Sequence, residues 1–572
     1  MTDLTSLRPL LAVLASVVAI PLIYAARGRP NRREAVTVAA AVTKFAVVAS
    51  MVPGVLSGDR YEFHLGTFAT GIDLVLRVDP LGLLFGLLAS LLWIVTSFYS
   101  IGYMRGLDEH AQTRYFASFA ASLAAAIGVA FAGNLLTLFV FYELLTVATY
   151  PLVTHDETGE ARAAGRKYLA YTFGGGVAVL AGTVLVFWAT GTTTFTPGGI
   201  ADLATADPML ARAAFALLVA GFGVKAALMP MHSWLPDAMV APTPVSGLLH
   251  AVAVVKSGVF GLARVVLDVF GPETVEQIGG GVPLATVAAI TLLTASVIAL
   301  RQDNLKRRLA YSTVSQLSYI VLGLGLLSPN ALVGGLLHIP AHAFMKLTLF
   351  FCAGIIHVET HTDDISNMAG IGKRMPLTMA AFALAAAGMA GIPLVAGFVS
   401  KWYLLIGAIG AGEAIFAGAL LVSGVFNIAY FWPIVYQAYF ESPEGHDNKP
   451  LIEGPYGGRE ILRPDGDGRG SDGDVDGDMD LGEAEAAAAA DPDVDVDEML
   501  GESQGAHEGH YAGPPDSGWE KRDWRGGEST WFMLGPIIAA ATGAFLLGVV
   551  PHAAVFLQIV QRIVSDLPGV AI

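Results

Sequence analysis

The sequence predicts an all-α, polytopic membrane protein of about fourteen transmembrane helices. Three observations carry that expectation. Of the 572 residues, 54% are hydrophobic and only 14% charged, where a soluble domain carries roughly 25% charged residues. Apolar runs near the ~20 residues that span a bilayer recur along almost the whole chain. Basic loops also alternate with loops nearly free of Lys and Arg, as the positive-inside rule requires.

In chain order the apolar runs cover about 7–26, 35–57, 80–101, 113–131, 133–153, 164–189, 209–229, 242–267, 283–300, 309–327, 331–357, 376–404, 413–440 and 531–560. The first is not a cleaved leader, because its basic cluster (Arg27, Arg29, Arg32 and Arg33) follows the run instead of preceding it. With that cluster cytoplasmic, four further basic groups fall on the same side: Arg105 and Arg114; Arg162, Arg166 and Lys167; Arg301, Lys306, Arg307 and Arg308; Lys373 and Arg374. The opposite loops at 191–208 and 268–282 have no Lys or Arg, and the 58–79 loop has only Arg60 and Arg77. This count predicts a multi-pass cell-membrane protein with both termini outside and the loop after the thirteenth span inside.

That loop holds nearly all of the net charge of −16. Between Glu441 and Ser529 there are 25 acidic and 7 basic residues, against 24 and 26 in the rest of the chain. Residues 441–530 are therefore expected to form a solvated, disordered cytoplasmic insert, acidic in the way that suits a high-salt cytoplasm. Within it, "DGDVDGDMDLGE" places Asp472, Asp474, Asp476, Asp478 and Glu483 on a calcium-loop template. The flanks "RPDGDGRGS" and "AEAAAAA" supply no amphipathic helix, so a solvated loop is the expectation. His357, Glu359, His361 and Asp363 likewise read as a hydrated helix end in preference to a metal site. The single cysteine, Cys352, excludes disulfides, thiolate zinc and iron–sulfur clusters within this chain. There is no GxxxxGK[ST], which excludes ATP as the direct energy source, and no dinucleotide fingerprint follows a soluble strand. No cofactor, resident metal or nucleic-acid partner is expected.

Two spans contain breaks. "MPMHSWLPDAMVAPTP" places Pro230, Pro236, Pro242 and Pro244 at the end of the seventh, and Gly391, Pro393 and Gly397 interrupt the twelfth. Five spans apart, these helices run in opposite directions. Interrupted helices in corresponding halves point to an inverted-repeat transporter whose ion path lies at the breaks, where freed backbone carbonyls must be covered by protein or water.

Ionisable residues also occur inside spans: Glu143, Lys225, His250, Lys256, the row His338, His342 and Lys346, and Lys401 beside the second break. The row has a spacing of four residues, which places all three on one helix face. A charge at the bilayer centre costs roughly 2.5–3.5 kcal/mol. Glu143 and the four lysines would together cost on the order of 12–18 kcal/mol if lipid-facing and unpaired, which rivals the stability of a whole fold. They must face the bundle interior. A structural reading competes: a Glu–Lys pair gluing helices, histidines satisfied by carbonyls, lysines snorkelling from helix ends. It weakens because Lys225, Lys256 and Lys346 lie deep in their spans and outnumber the carboxylates available to pair them. A nearby carboxylate favours the ammonium and burial favours the neutral amine, so moving Glu143 relative to Lys225 would push a proton on or off. His250 and Lys256 lie some 120° apart on a helix and are expected to contact different neighbours.

The stretches "HSWLPDAMVAPTPVSGLLHAVAVVKSGVF", "HIPAHAFMKLTLFFCAGIIH" and "GIPLVAGFVSKWY" closely resemble the antiporter-like subunits shared by respiratory complex I, membrane-bound hydrogenases and Mrp-type Na⁺/H⁺ antiporters. The resemblance covers roughly residues 80–440. It implies two inverted five-helix repeats with broken helices 7 and 12: residues 1–112 hold helices 1–3, 113–267 the first repeat, 281–440 the second, and 531–572 the last helix. It further implies a proton path through Glu143, Lys225, Lys256, the His338, His342 and Lys346 row, and Lys401, within a complex of other membrane subunits that moves H⁺ and Na⁺ (or K⁺). Lys401 stands where the middle complex I subunit usually has Glu, which counts against that member, and only one apolar run follows the insert, which favours an Mrp D-type subunit, with the smaller complex I-type or hydrogenase-type subunits next. The alternative is the proton-pumping antiporter-like subunit of a complex I or hydrogenase-type enzyme, driven by partners that bear flavin or iron–sulfur centres.

Overall fold

The computed structural model describes residues 2–69, 72–442, 527–552 and 555–568. Among them, eleven helices are long and apolar enough to cross a membrane: α1 (Arg8–Ala25), α2 (Pro30–Ala49, continued by a short turn at Val52–Ser57), α3 (Pro80–Gly106), α4 (Gln112–Ala130), α5 (Leu135–Val153), α6 (Gly159–Thr190), α7 (Pro208–Lys225), α9 (Gly281–Leu300), α11 (Pro329–Thr360), α13 (Ala414–Phe440) and α14 (Trp531–Val549). Three more segments complete the expected set. α8 covers 243–269 and is interrupted, α10 (Leu305–Gly325) opens on Lys306, Arg307 and Arg308, and α12 is split into α12a (Pro376–Ala390) and α12b (Ala396–Gly410).

Local chemistry sets the helix starts. Asp79, Asn134, Thr158 and Asn304 each accept a hydrogen bond from the backbone N–H three residues on, and Asp207 accepts from Met209 and Leu210. Such caps satisfy N–H groups that have no partner within the helix. Proline opens α2, α3, α7, α11 and α12a, where its missing N–H costs nothing. The interior packs through small residues. A Cβ on Gly175 of α6 would lie 2.9 Å from the Gly221 carbonyl of α7, and one on Gly221 would lie 2.6 Å from the Gly175 carbonyl, so the two backbones are in contact. The apolar window of α11 is wholly buried, which places this helix at the centre of the bundle.

The structure departs from the sequence expectation in three places. The 58–79 loop is a small sheet: β2 (Asp59–Ala69) pairs antiparallel with β3 (Ile72–Val78), and β1 (Thr2–Thr5) adds in parallel to β2. The alternation in "RYEFHL" and "IDLVLRV" has the two-residue period that predicts this, but a search for spans overlooks it. The last apolar run is two helices, with α14 ending at Val549 and α15 (Val555–Ser565) beginning beyond Pro551, because proline cannot continue a helix. α8 contains π-helical turns at Leu248–Val252 and Val265–Val269. The calcium-loop residues Asp472, Asp474, Asp476, Asp478 and Glu483, with nearly all of the insert, lie outside the described residues.

At its far end the insert is anchored. Glu528 accepts hydrogen bonds from the backbone N–H of Thr378 (3.0 Å), its hydroxyl (2.9 Å) and the Leu377 N–H, capping the first turn of α12a. Ser529 donates to Glu359 of α11.

Candidate ion path

The seventh span ends at Lys225, where the chain leaves helical geometry and turns through Ala227 at φ 55°. Pro230 follows a cis peptide bond with Met229, Pro236 is buried in the short turn Trp234–Asp237, and Pro242 and Pro244 start α8. At the break the Val224 carbonyl accepts from the Ala227 N–H at 3.1 Å and from Trp234 Nε1 at 2.9 Å. Lys225 is fully buried. Its ammonium donates to the Tyr142 carbonyl of α5 at 2.6 Å and stands 3.4 Å from the centre of the Tyr142 ring. Glu143, the next residue of α5, has both carboxylate oxygens buried without a hydrogen-bond partner among the described residues. It makes no direct ion pair with Lys225, although the two charges are near enough to interact. Gly176 of α6 makes room for it: a Cβ there would lie 2.1 Å from Glu143 Oε1.

The second break repeats this arrangement. α12a ends on Gly391 at φ 90°, a conformation that glycine adopts without strain. A Cβ on Gly397 would lie 1.9 Å from the Gly388 carbonyl, so only glycine lets α12b start this close beneath α12a. Pro393 lies between them. Lys401 turns its ammonium to the Met389 carbonyl freed at the break, 4.5 Å from the centre of the Tyr319 ring of α10. Lysine over tyrosine thus recurs on α7 with α5 and on α12 with α10. The residue after Tyr142 is Glu143 and the residue after Tyr319 is Ile320, so the carboxylate belongs to the first half alone.

Between the breaks the α11 row of His338, His342 and Lys346 is fully buried. His342 Nδ1 lies 2.6 Å from Lys256 Nζ of α8. His338 lies 2.8 Å from Ser400 Oγ through Nδ1 and 2.9 Å from Gln316 Oε1 through Nε2. Gln316 donates to Asn427 of α13 at 3.2 Å, and Asn427 donates to the Tyr319 hydroxyl at 3.3 Å. The rings of His338 and His342 are 6.1 Å apart. Lys346 donates to the Leu309 carbonyl at 3.1 Å and to the Ser312 hydroxyl. His250 falls in the first π-helical turn of α8, its ring 4.7 Å from that of Phe350, and neither of its nitrogens nor His342 Nε2 has a partner among the described residues. Buried polar atoms are almost always satisfied, so these imidazole nitrogens stand out from the surrounding core. As expected, His250 and Lys256 contact different neighbours.

The structure therefore holds two polar clusters side by side, Lys256 with His342 and His338 with Ser400, Gln316, Asn427 and Tyr319, and Lys401 stands beside the Tyr319 ring; no side-chain hydrogen bond joins His342 to His338. Lys225 and Lys256 are not joined by a side-chain hydrogen bond. The backbones of α7 and α8 meet there, since a Cβ on Gly258 would lie 2.3 Å from the Ala226 nitrogen. Gln316 and Asn427 were legible as polar residues inside apolar runs, as were two further groups that sequence reasoning missed. Lys44 of α2 is fully buried, donates to the Leu123 carbonyl at 2.8 Å and stands 5.0 Å from the Trp93 ring. Arg264 binds Asp79 at 2.6 and 2.8 Å and Asp268 at 2.7 Å, tying the end of α8 to the start of α3. The His357–Asp363 region closes on itself instead, with Nδ1 3.0 Å from both Asp363 oxygens. Burial works against the Asp363 charge, but the His357 hydrogen bond and charge hold its carboxyl below the usual carboxylate range.

Fold and site define a many-spanning membrane protein that keeps lysines, histidines and one glutamate inside its bundle at two broken helices. The chain belongs to the NADH:quinone oxidoreductase/Mrp antiporter transmembrane family, whose pattern matches residues 132–427. It is 33% identical over 459 residues to NADH-quinone oxidoreductase subunit N of Desulforudis audaxviator, covering 77% of this chain and 89% of that one. It is 32% identical over 414 residues to the putative antiporter subunit mnhA2 of Staphylococcus haemolyticus, covering 68% of this chain but only 50% of that longer protein. A chain of the Mrp complex from Dietzia sp. DQ12-45-1b has the same fold, with a TM-score of 0.76 at 22% identity over 98% of this chain and 97% of that one. A chain of the archaeal membrane-bound sulfane sulfur reductase superposes with a TM-score of 0.69 at 25% identity over 78% and 90%. The protein is a membrane antiporter-like subunit of the Mrp or complex I type, and its relatives are subunits of multi-subunit membrane assemblies.

Proposed function

We propose that this chain is the ion-translocating D-type subunit of an Mrp-type antiporter that exchanges cytoplasmic Na⁺ (or K⁺) for external H⁺. The observation that carries the reading is the succession of polar contacts inside helices otherwise apolar: Lys256 with His342, the His338 ring 6.1 Å further on, His338 with Gln316, Gln316 with Asn427, Asn427 with Tyr319, and Lys401 beside the Tyr319 ring. Glu143 and Lys225 form the switchable pair of the first half. Lys256, His250, His338, His342 and Lys346 pass protons along the midplane with water at the unpartnered imidazole nitrogens, and Lys401 gates the other half. The amides of Gln316 and Asn427 orient the file without carrying charge. Energies are commensurate: an elementary charge crossing 100 mV carries about 2.3 kcal/mol, and a ten- to hundredfold change in proton affinity is about 1.4–2.7 kcal/mol. The membrane potential can therefore drive the switch. The topology that accompanies this reading has both termini outside and the acidic insert in the cytoplasm.

The test is proton flux in vesicles that contain the purified assembly, with and without Na⁺ or K⁺. Cation-dependent flux that disappears in Lys225→Ala, with assembly intact, is the expected result. Equal flux in that variant would reduce the chain to a scaffold. The identity to a quinone oxidoreductase subunit N over most of both chains favours a second reading, a proton-pumping subunit of a redox enzyme. Copurified redox subunits and proton flux driven by their substrate without Na⁺ would establish it.

A further inference from the structure

A second group of ionisable side chains lies apart from the buried file, where the turn between α3 and α4 meets the end of α5. Glu109 and His110 stand in that turn, and His155 follows the last turn of α5. One ligand atom from each of the three lies within 4.8 Å of the others. Glu109 Oε2 is 3.8 Å from His110 Nδ1 and 3.7 Å from His155 Nε2. Both separations are too long for hydrogen bonds. Ligand atoms held tetrahedrally about zinc at 2.0–2.2 Å stand roughly 3.3–3.6 Å from one another. Two edges of the triangle are thus close to a zinc site's spacing, and the third can close by rotation of His110, whose side chain is 51% exposed.

His155 is the independent sign of a ligand. It is fully buried, and neither ring nitrogen has a hydrogen-bond partner among the described residues. Buried polar atoms are almost always satisfied, and Nε2 here faces only the distant Glu109 carboxylate. The ring is held in place, 4.7 Å from the His110 ring and edge-on to Tyr115 at 5.7 Å. Its backbone is held too, because Arg114 donates to the His155 carbonyl at 3.1 Å and pairs with Glu157.

We propose that Glu109, His110 and His155 bind a divalent transition-metal ion of the zinc class, clamping the α3–α4 turn to the end of the helix that carries Glu143. Two imidazoles and one carboxylate are a donor set that zinc accepts, with the remaining place open to water. The site stands independently of which ions the chain transports. The experiment is titration of the full chain, purified without a histidine tag, with Co²⁺ followed by its visible absorption, then displacement by Zn²⁺. One equivalent with the strong absorption of four-coordinate Co²⁺ is expected, bleached by Zn²⁺. It should be lost in His110→Ala, where the exposed ring leaves folding unthreatened, and in His155→Ala. Glu109→Gln should bind at least tenfold more weakly, and His357→Ala/His361→Ala should bind as the wild type does. No equivalent in the wild type, or undiminished binding in either His110→Ala or Glu109→Gln, overturns the proposal.

Discussion

Gly176→Ala isolates the position of the Glu143 carboxylate from its chemistry. The added Cβ would stand 2.1 Å from Oε1, 2.6 Å from Cδ and 3.2 Å from Oε2 of Glu143. An ordinary contact needs about 3.4 Å, so the carboxylate must retreat by about 1.3 Å. It is the end of a flexible side chain and can do so without moving the helix. Replacing a helical glycine by alanine favours the helix by up to about 1 kcal/mol, so the melting temperature in detergent should hold or rise. Charge interaction is what changes. At an effective dielectric near 20, each ångström of separation beyond about 4 Å weakens a pair of unit charges by on the order of 0.8 kcal/mol. A displacement of about 1.3 Å then alters the Glu143–Lys225 interaction by roughly 1 kcal/mol, about a fivefold change in the proton equilibrium. Proton flux in vesicles should fall several-fold at unchanged expression. Glu143→Asp, shorter by one methylene, should restore flux when combined with Gly176→Ala. Gly174→Ala, with nothing within 4 Å of the new Cβ, should be silent. Wild-type flux in Gly176→Ala, or no recovery in the double variant, would refute the switchable pair.

Gln316→Leu keeps the volume but removes the partner of both His338 and Asn427; flux should drop at least tenfold while thermal stability changes by about 1–3 kcal/mol. Tyr319→Phe keeps the ring beside Lys401 and removes only the hydroxyl that Asn427 reaches, so flux measured in the same vesicles should suffer less than in Gln316→Leu. Arg264→Met strands two buried carboxylates, Asp79 and Asp268, at a cost of about 3–5 kcal/mol. Expression and melting temperature should fall, and adding Asp79→Asn with Asp268→Asn should recover much of the loss. Glu528→Ala leaves the first turn of α12a uncapped and should lower stability by about 1 kcal/mol, measured by thermal unfolding of the full chain.

Much of the fold is legible because a bilayer imposes simple rules on a sequence. Length, apolarity and loop charge located the helices, and Pro230, Pro393 and their neighbours marked both breaks. The same rules concealed the rest. A search for twenty-residue apolar runs passes over the period-two pattern of β2 and β3, and it runs α14 through Pro551 into α15. For the site, the cost of burying charge singled out Glu143, Lys225, Lys256, Lys346 and Lys401. That filter is silent on neutral partners: Gln316, Asn427 and Tyr319 carry no charge, and tyrosine in an apolar run reads as core.

The sequence by itself determined that charged groups lie inside the bundle, because exposure to lipid would cost as much as the fold can supply. Only the tertiary structure decided which groups meet. Hydrogen bonds act over about 3 Å, and such contacts join residues far apart in the chain: Lys256 with His342, Lys225 with Tyr142, and Gln316 with Asn427. Periodicity along one helix gives the face a residue occupies, but the neighbour on that face depends on how helices cross and on where small residues let backbones touch. Tertiary packing therefore placed Gly176 against Glu143 and brought His155 to Glu109 and His110.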